Sequence, residues 1–303
     1  MLKNTIIAIM NLIFKKEKKL VMTLLVRNEI DIVRKNIEFH LKKGVNFIIA
    51  TDNGSTDGTR DVLLEYEKRG ILKLIDEPEQ NYSQYKWVNR MGEIAIKEYK
   101  ADIIFHCDAD EFWFPSTGNL KDEIINSKEN VLIVNLINIL LEDKNGLESF
   151  PKNSIYSVIK PIPSIDLMTD SQNENLYMFQ YLPKVMFKTN KGLLKVNQGN
   201  HSIFETEIKT KKVSQKKSEK IIIYHFPIRN KQQFLTKIIN GGKSYEINNE
   251  FDDSIGFHWR RWYKNYKNGT IDSDYKKIIL DNKTANQMIT NGTISIFDIN
   301  QIL

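Results

Sequence analysis

A mixed α/β fold with a largely parallel sheet is predicted by three observations. Short apolar runs alternate with longer amphipathic stretches through the first third of the chain, the pattern of strand-helix-strand crossovers. Two of those apolar runs end in acids and turn residues rather than in more core, which suits strand ends that open into a crevice. The chain of 303 residues is 41% hydrophobic, enough to bury a sizeable core without staples.

The elements follow in order. Residues 20–26 read as the first strand, and 29–43 as a helix with Ile30, Val33, Ile37 and Leu41 on one face. His40 lies close to that face and reads as a hydrogen-bonded core histidine. Gly44 is placed to stop the helix, and 45–50 form the second strand. Asn53-Gly54 and Asp57-Gly58 are strong turn dipeptides, and Ser55, Thr56 or Asp57 can cap a helix over 60–69. A third strand is expected at 71–75 and an amphipathic helix at 87–99, carrying Val88, Met91, Ile94 and Ala95 on its apolar side. The fourth strand starts at Ile103 and runs into Asp108-Ala109-Asp110-Glu111.

Beyond it, 131–141 is a strongly apolar strand expected beside the first sheet. From 142 to 200 the signals blur, and Pro151, Pro161 and Pro163 suggest loops and short antiparallel strands. The lysine-rich tract 209–220 reads as an exposed hairpin tip, and 221–224 as a buried strand delivering His225. A helix over 230–240 should stop at Gly241-Gly242. The remainder reads as helical, with Trp259, Trp262, Tyr263 and Tyr266 as packing aromatics.

Composition narrows the function classes. The single Cys107 excludes an intramolecular disulfide framework and reads as a small core side chain. A net charge of +6 favours anionic partners such as nucleoside diphosphates or phospholipid surfaces over cationic ones. Residues 1–19 pair a short apolar run with Lys15, Lys16, Lys18 and Lys19. The run is shorter than the roughly twenty apolar residues a bilayer span needs. No small-residue cleavage site follows it. It reads either as an interfacial helix with Ile6, Ile9, Met10 and Ile13 in the membrane, or as a helix docked on the protein's own core.

The chemistry concentrates at the two acidic strand ends. Asp108-Ala109-Asp110 places two hard oxygen ligands on one side of an extended backbone, a seat for Mg²⁺ or Mn²⁺ shared with phosphate oxygens. Asp52 ends the second strand on the same sheet edge. Arg90, on the helix after the third strand, is placed to reach a diphosphate.

The ordered set Val26-Arg27-Asn28-Glu29, Asp52-Asn53-Gly54-Ser55-Thr56-Asp57-Gly58-Thr59 and Asp108-Ala109-Asp110-Glu111-Phe112 resembles the GT-A glycosyltransferases of family 2, especially the branch related to family 92. The resemblance covers about residues 20–115 well. Pro183-Lys184-Val185, Gly199-Asn200-His201-Ser202, and Tyr224-His225-Phe226-Pro227-Ile228-Arg229 with Phe234 and Lys237 are similar to that branch at looser spacing.

The resemblance implies a GT-A architecture: a Rossmann-like nucleotide-sugar-binding sheet, an acceptor-side subregion and a helical C-terminal tail. It divides the chain into a segment 1–19, a transferase domain 20–235 with donor half 20–115 and acceptor half 116–235, and a helical extension 236–303. The implied activity is metal-dependent, inverting transfer of a sugar from a nucleotide-diphosphate sugar, with UDP-sugar favoured. The implied acceptor is a glycan or lipid-linked glycan in surface polysaccharide or lipooligosaccharide synthesis, reached from the cytoplasm at the inner membrane face.

Under that resemblance Leu25, Arg27, Glu29, Asp52, Arg90 and Asp108 bind the donor, and Asp108, Asp110 and His225 hold the metal. His225 is preferred over His201 as the closing ligand, and an imidazole tilts the site toward Mn²⁺ over Mg²⁺. His201 and Lys184 fall on the acceptor side. The Glu-Asp pair that many family 2 members use to activate the acceptor has no counterpart in the middle of this chain. The base therefore stays open among Glu111, Asp166 and Glu205, beside the catalytic Asp110. A nucleotidyltransferase would also use two acids and a metal, but its glycine-rich first turn is missing at Arg27-Asn28-Glu29. A noncatalytic binder of anionic glycan or nucleic acid would explain the charge, not the acids at two strand ends.

Overall fold

The computed structural model describes residues 17–80, 83–142, 154–164, 166–190, 192–203, 213–248 and 252–302. The interfacial segment expected at 1–19 lies outside these residues up to position 16, as do Glu205 and the tip of the lysine-rich tract. Among the described residues no helix is long and apolar enough to cross a membrane.

The first half alternates as the sequence predicts: β1 (Leu20–Val26), α1 (Val33–Lys42), β2 (Phe47–Asp52), α2 (Thr59–Lys68), β3 (Leu72–Asp76), α3 (Gln84–Lys97) and β4 (Ile103–Asp108). These four strands are parallel in the order β4-β1-β2-β3. All their carboxyl ends therefore point to one edge. Strands β1, β2 and β4 are buried on both faces and read as nearly continuous apolar runs, whereas the edge strand β3 is half-exposed and alternates as Leu72-Lys73-Leu74. His40 is fully buried, with its two ring nitrogens engaged by the Asn36 carbonyl and the Trp113 amide, the core role its position predicts. Gly44 ends α1 at φ +93°, which a glycine takes without strain. Helix α1 begins four residues later than expected, and Ile30 is left 43% exposed against Gly58.

The second half departs further from the sequence reading. After β5 (Glu111–Pro115) and α4 (Leu120–Asn126), the apolar run over 131–141 is two strands, β6 (Val131–Val134) and β7 (Leu136–Glu142). They break at Asn135, and β6 stays in the first sheet while β7 enters a second one. An apolar run carries no mark of which sheet it serves. Next come β8 (Ser154–Val158), α5 (Leu167–Asp170), β9 (Lys184–Lys188), β10 (Gln215–Lys217) and β11 (Ile221–His225). Strand β9 runs antiparallel between β4 and β6, whereas β11 joins β5 and β7 in the second sheet. The whole is the mixed α/β arrangement expected of a GT-A fold, with a parallel core sheet, a smaller second sheet and a helical C-terminal region.

That region holds α6 (Lys231–Ile247), α7 (Phe257–Lys267), α8 (Ile271–Ile278), β12 (Ile279–Leu280), α9 (Asn282–Thr290) and β13 (Ile294–Ile296). Helix α6 runs straight through Gly241-Gly242, where a stop was expected, and across the expected 235/236 boundary. The glycines serve packing. A Cβ at 242 would stand 2.2 Å from Cγ of Tyr263 on α7, and one at 241 would stand 3.0 Å from Trp259. Close approach of two helices needs small residues at the crossing, and here it overrides their poor helix propensity.

Candidate active site

Two turns build the edge of the parallel sheet. After β1 the chain makes a tight corner at Asn28, with φ +57°, and the Asn28 and Glu29 amides donate to the hydroxyls of Ser55 and Thr59. Asn28 returns the contact by accepting from the Thr56 amide at 2.8 Å. The turn after β2 is thus fixed to the turn after β1. The turn after β4 is held from below by Asn36 on α1, whose amide donates to the carbonyls of Ala109 at 3.0 Å and Glu111 at 2.7 Å. The Phe226 amide donates to the Asp110 carbonyl, which joins the end of β11 to the same edge.

A cleft of about 240 Å³ opens there. Leu25, Arg27, Glu29, Asp108 and Asp110 line it. So do Tyr177, Tyr181, His225, Lys237, His258 and Trp259. The structure thus brings six of the expected site residues together around one cavity, including both acids of the Asp-x-Asp pair and His225.

Asp110 is 6% exposed and carries the densest electrostatics. Burial alone would raise its carboxyl, but Lys237 and His225 outweigh that and hold it well below the usual carboxylate range. Lys237 Nζ is bonded to Asp110 Oδ2, and His225 Nε2 stands 3.6 Å from the same oxygen. The histidine's tautomer follows from its neighbours. Asn138 donates its amide to the Tyr177 carbonyl at 2.9 Å, which leaves its Oδ1 to accept from His225 Nδ1 at 2.8 Å. Nε2 is then the ring nitrogen left facing Asp110, and the one a metal would take.

Two acceptors side by side fit a cation between them, and imidazole nitrogen with carboxylate oxygen is a donor set that suits manganese. Among the described residues no cluster of three His, Cys, Asp or Glu side chains forms a ready-made metal cage. Asp110 and His225 would supply two ligands, with the other positions left to diphosphate oxygens and water.

Asp108 is differently placed. Its Oδ2 accepts from Lys184 Nζ at 2.6 Å, and its side chain is about a third exposed toward the cleft. Gln84 lies 3.4 Å from its other oxygen. Lys184, expected on the acceptor side, does not line the cleft. It is 2% exposed on β9, under the Asp-x-Asp turn, and joins Asp108 to Glu111 Oε1 at 2.6 Å. Burial pushes the Glu111 carboxyl up to about 8, against the pull of Lys184. Glu111 is 2% exposed and does not line the cleft, a placement unsuited to a base that must meet an acceptor hydroxyl. Asp166 is exposed and caps α5 through Thr169, also away from the cleft.

Asp52 is 2% exposed at the end of β2. Its Oδ2 accepts from the Ser55 amide at 3.0 Å, while its Oδ1 is buried with no hydrogen-bond partner. The neighbouring Arg27, which lines the cleft, has an equally unpartnered Nε, and burial lowers its pKa against the pull of Asp52. Asp52 itself does not line the cleft and lies behind Arg27; two buried polar atoms left open so near it are a costly arrangement unless a ligand or water completes them. Arg90 instead pairs with Glu77 at 2.8 Å, and neither it nor His201 lines the cleft. His201 Nδ1 contacts the Pro183 carbonyl.

Residues outside the expected site residues complete the cleft. Arg229, fully buried, bonds Glu29 and both oxygens of Asp31, at 2.6 and 2.9 Å for the latter. Burial raises the Glu29 carboxyl in spite of Arg229 and Lys237. Asn138 had one visible signal, a polar residue inside a strongly apolar run. Tyr181 and Trp259 had none beyond their aromatic character.

The chain matches the model of glycosyltransferase family 92 over residues 21–292. No curated protein matches it. Among solved structures, residues 1–349 of S. aureus TarS are 13% identical over 82% of this chain and 71% of that one, with a TM-score of 0.39. The same TarS fragment in complex with UDP-GlcNAc is 10% identical over 82% and 72%, with a TM-score of 0.40. Glucosyl-3-phosphoglycerate synthase from Mycobacterium tuberculosis, in complex with Mn²⁺, UDP and phosphoglyceric acid, is 14% identical over 40% and 44%, with a TM-score of 0.28. The longer TarS structure is covered over 43% of its length.

Proposed function

The chain belongs to glycosyltransferase family 92, and from that premise we propose that it transfers a sugar from a nucleoside-diphosphate sugar, UDP-sugar first, to a glycan or lipid-linked glycan, with Mn²⁺ as its metal. The observation that carries the reading is the Asp110–His225 pair, in which the Nδ1 contact with Asn138 leaves Nε2 facing Asp110 Oδ2 at 3.6 Å across one point in the cleft.

In this reading Asp52 Oδ1 accepts a hydrogen bond from the base or ribose, with Arg27 beside it. Asp108, held by Lys184, contacts the ribose or a water on the metal. Asp110 and His225 hold the metal, which when bound supplies the positive charge that stabilises the departing diphosphate. In the single displacement that the family 2 resemblance implies, the bond from the anomeric carbon to the diphosphate oxygen breaks and its electron pair stays on that oxygen. The acceptor oxygen bonds to the anomeric carbon from the opposite face, and its proton passes to a base. Tyr181 and Trp259 also line the cleft, and their apolar faces suit a sugar ring.

The proposed acceptor is a surface glycan or glycolipid, a reading supported by the positive charge and the lysines near the start of the chain, which suit an anionic membrane face in the cytoplasm. Slow hydrolysis of donor needs no knowledge of the acceptor and tests the core of the proposal. A panel of nucleotide sugars should show one hydrolysed in the presence of Mn²⁺, with loss of turnover in Asp110→Asn and a raised donor KM in Asp52→Ala. Mn²⁺-dependent turnover unchanged in Asp110→Asn would overturn the assignment.

A further inference from the structure

The Asp110 carboxylate is shared in a way that the metal reading alone does not explain. Lys237 and His225 address the same oxygen, Oδ2, from different elements. Lys237 lies one-fifth exposed on α6, lines the cleft, and has two weaker contacts: the Pro227 carbonyl at 3.3 Å and Glu29 Oε1 at 3.7 Å. Glu29 does not depend on it. Glu29 and Asp31 are both bonded to Arg229, a guanidinium with no exposure and no room to leave.

The two cations of this cluster therefore differ. Arg229 is a fixed fork locked on two carboxylates, whereas Lys237 is a point charge on a flexible stem at the cavity wall. A divalent cation seated between His225 Nε2 and Asp110 Oδ2 would stand within a few ångströms of the ammonium, with both drawn to one oxygen. Like charges at that distance repel strongly, so the two do not share Oδ2.

The geometry points to an exchange: Lys237 is the internal cation of Asp110 in the free protein, and it passes to the donor's diphosphate when the metal takes its place. The inference rests on the proposed reading of Asp110 and His225 as the metal seat. Metal alone must displace Lys237 and leave its ammonium with only the two weaker contacts. Metal arriving with a nucleoside diphosphate gives the ammonium phosphate oxygens to donate to. Lys237 thus penalises the metal without the donor and rewards the two together, which is positive coupling between two ligands of one site.

The test is Mn²⁺ binding, followed by the electron paramagnetic resonance of free Mn²⁺ and by calorimetry, with and without UDP. In the wild-type protein, Mn²⁺ alone should bind weakly and UDP should tighten it at least tenfold. In Lys237→Met, Mn²⁺ alone should bind at least tenfold tighter than in wild type, and the tightening by UDP should shrink by a similar factor. Lys237→Gln should move both values the same way, while Lys237→Arg, which keeps the charge, should stay near wild type. A merely structural lysine would leave the affinity for Mn²⁺ alone unchanged or weaken it. If wild type binds Mn²⁺ in the presence of UDP but neither uncharged variant gains affinity for Mn²⁺ alone, the exchange is wrong and the metal seat stands. If none of the proteins binds Mn²⁺ even with UDP present, the metal seat and the exchange fall together.

Discussion

Asn138 is the residue on which the metal-site chemistry can be tested without touching a proposed ligand. It is 3% exposed on β7, accepts from His225 Nδ1 at 2.8 Å and donates to the Tyr177 carbonyl at 2.9 Å. Asn138→Leu keeps the volume and removes both bonds. The Nδ1 hydrogen and the Tyr177 carbonyl are left without partners in a buried place, at about 1–3 kcal/mol of stability each. The imidazole is also freed to take the other tautomer, with its hydrogen on Nε2 and no lone pair for a metal. Loss of such an orienting partner typically weakens metal binding by about 10–100-fold. Asn138→Asp separates the two effects, because it keeps an acceptor for Nδ1, now a carboxylate that holds the hydrogen there more firmly, and loses the donor to Tyr177. Thermal unfolding should show both variants less stable than wild type. Mn²⁺ titration in the presence of UDP should show only Asn138→Leu weakened. If Asn138→Leu binds Mn²⁺ as tightly as wild type, while His225→Ala does not bind it, the tautomer argument is refuted.

Glu111 gives a pH signature. Its carboxyl lies up at about 8 in the folded chain against an ordinary 4.5, because burial outweighs Lys184. The folded state thus holds a proton that the unfolded state has released, so the contribution is complete below pH 4.5 and fades as pH rises through 8, by up to about 1.4 kcal/mol per unit. Glu111→Gln cannot titrate, and its melting temperature should fall less steeply than that of wild type between pH 5 and 8; parallel slopes would contradict the assignment. The membrane proposal is tested separately. A chain beginning at Lys19 should keep donor hydrolysis but lose flotation with anionic liposomes, and full-length protein that fails to float at low salt would end it. Each lysine near an anionic surface contributes about 1 kcal/mol, so binding should also weaken as salt rises.

What the sequence disclosed was local. Asp52, Asp108 and Asp110 could be found because acids at the ends of apolar runs contradict burial, and contradictions of that kind are written in a few adjacent residues. His225 was singled out by its place at the end of an apolar strand together with the family resemblance, which implies a later histidine. The bond from Lys184 to Asp108 was not legible because nothing around Lys184 in the chain shows that it lies under a residue 76 positions away. The role of Arg229 was invisible for a stronger version of the same cause, its partner Glu29 being 200 residues distant. The split of 131–141 at Asn135 escaped because both sheets bury their strands equally well. The base escaped too, since reach rather than residue type decides it.

The glycine pair in α6 has a consequence for the cleft as well as for the fold. Gly241 and Gly242 let α6 and α7 lie almost backbone to side chain, and α7 carries Trp259 and His258 to the cavity wall. The spacing of the two helices is therefore also the gauge of the opening. A substitution at 242 would improve the local helix on any propensity scale, and it would still force Tyr263 aside, because the added methyl would stand 2.2 Å from its ring. Helix propensity and the width of the cleft thus make opposite demands on the same two positions, and the glycines present there favour the width.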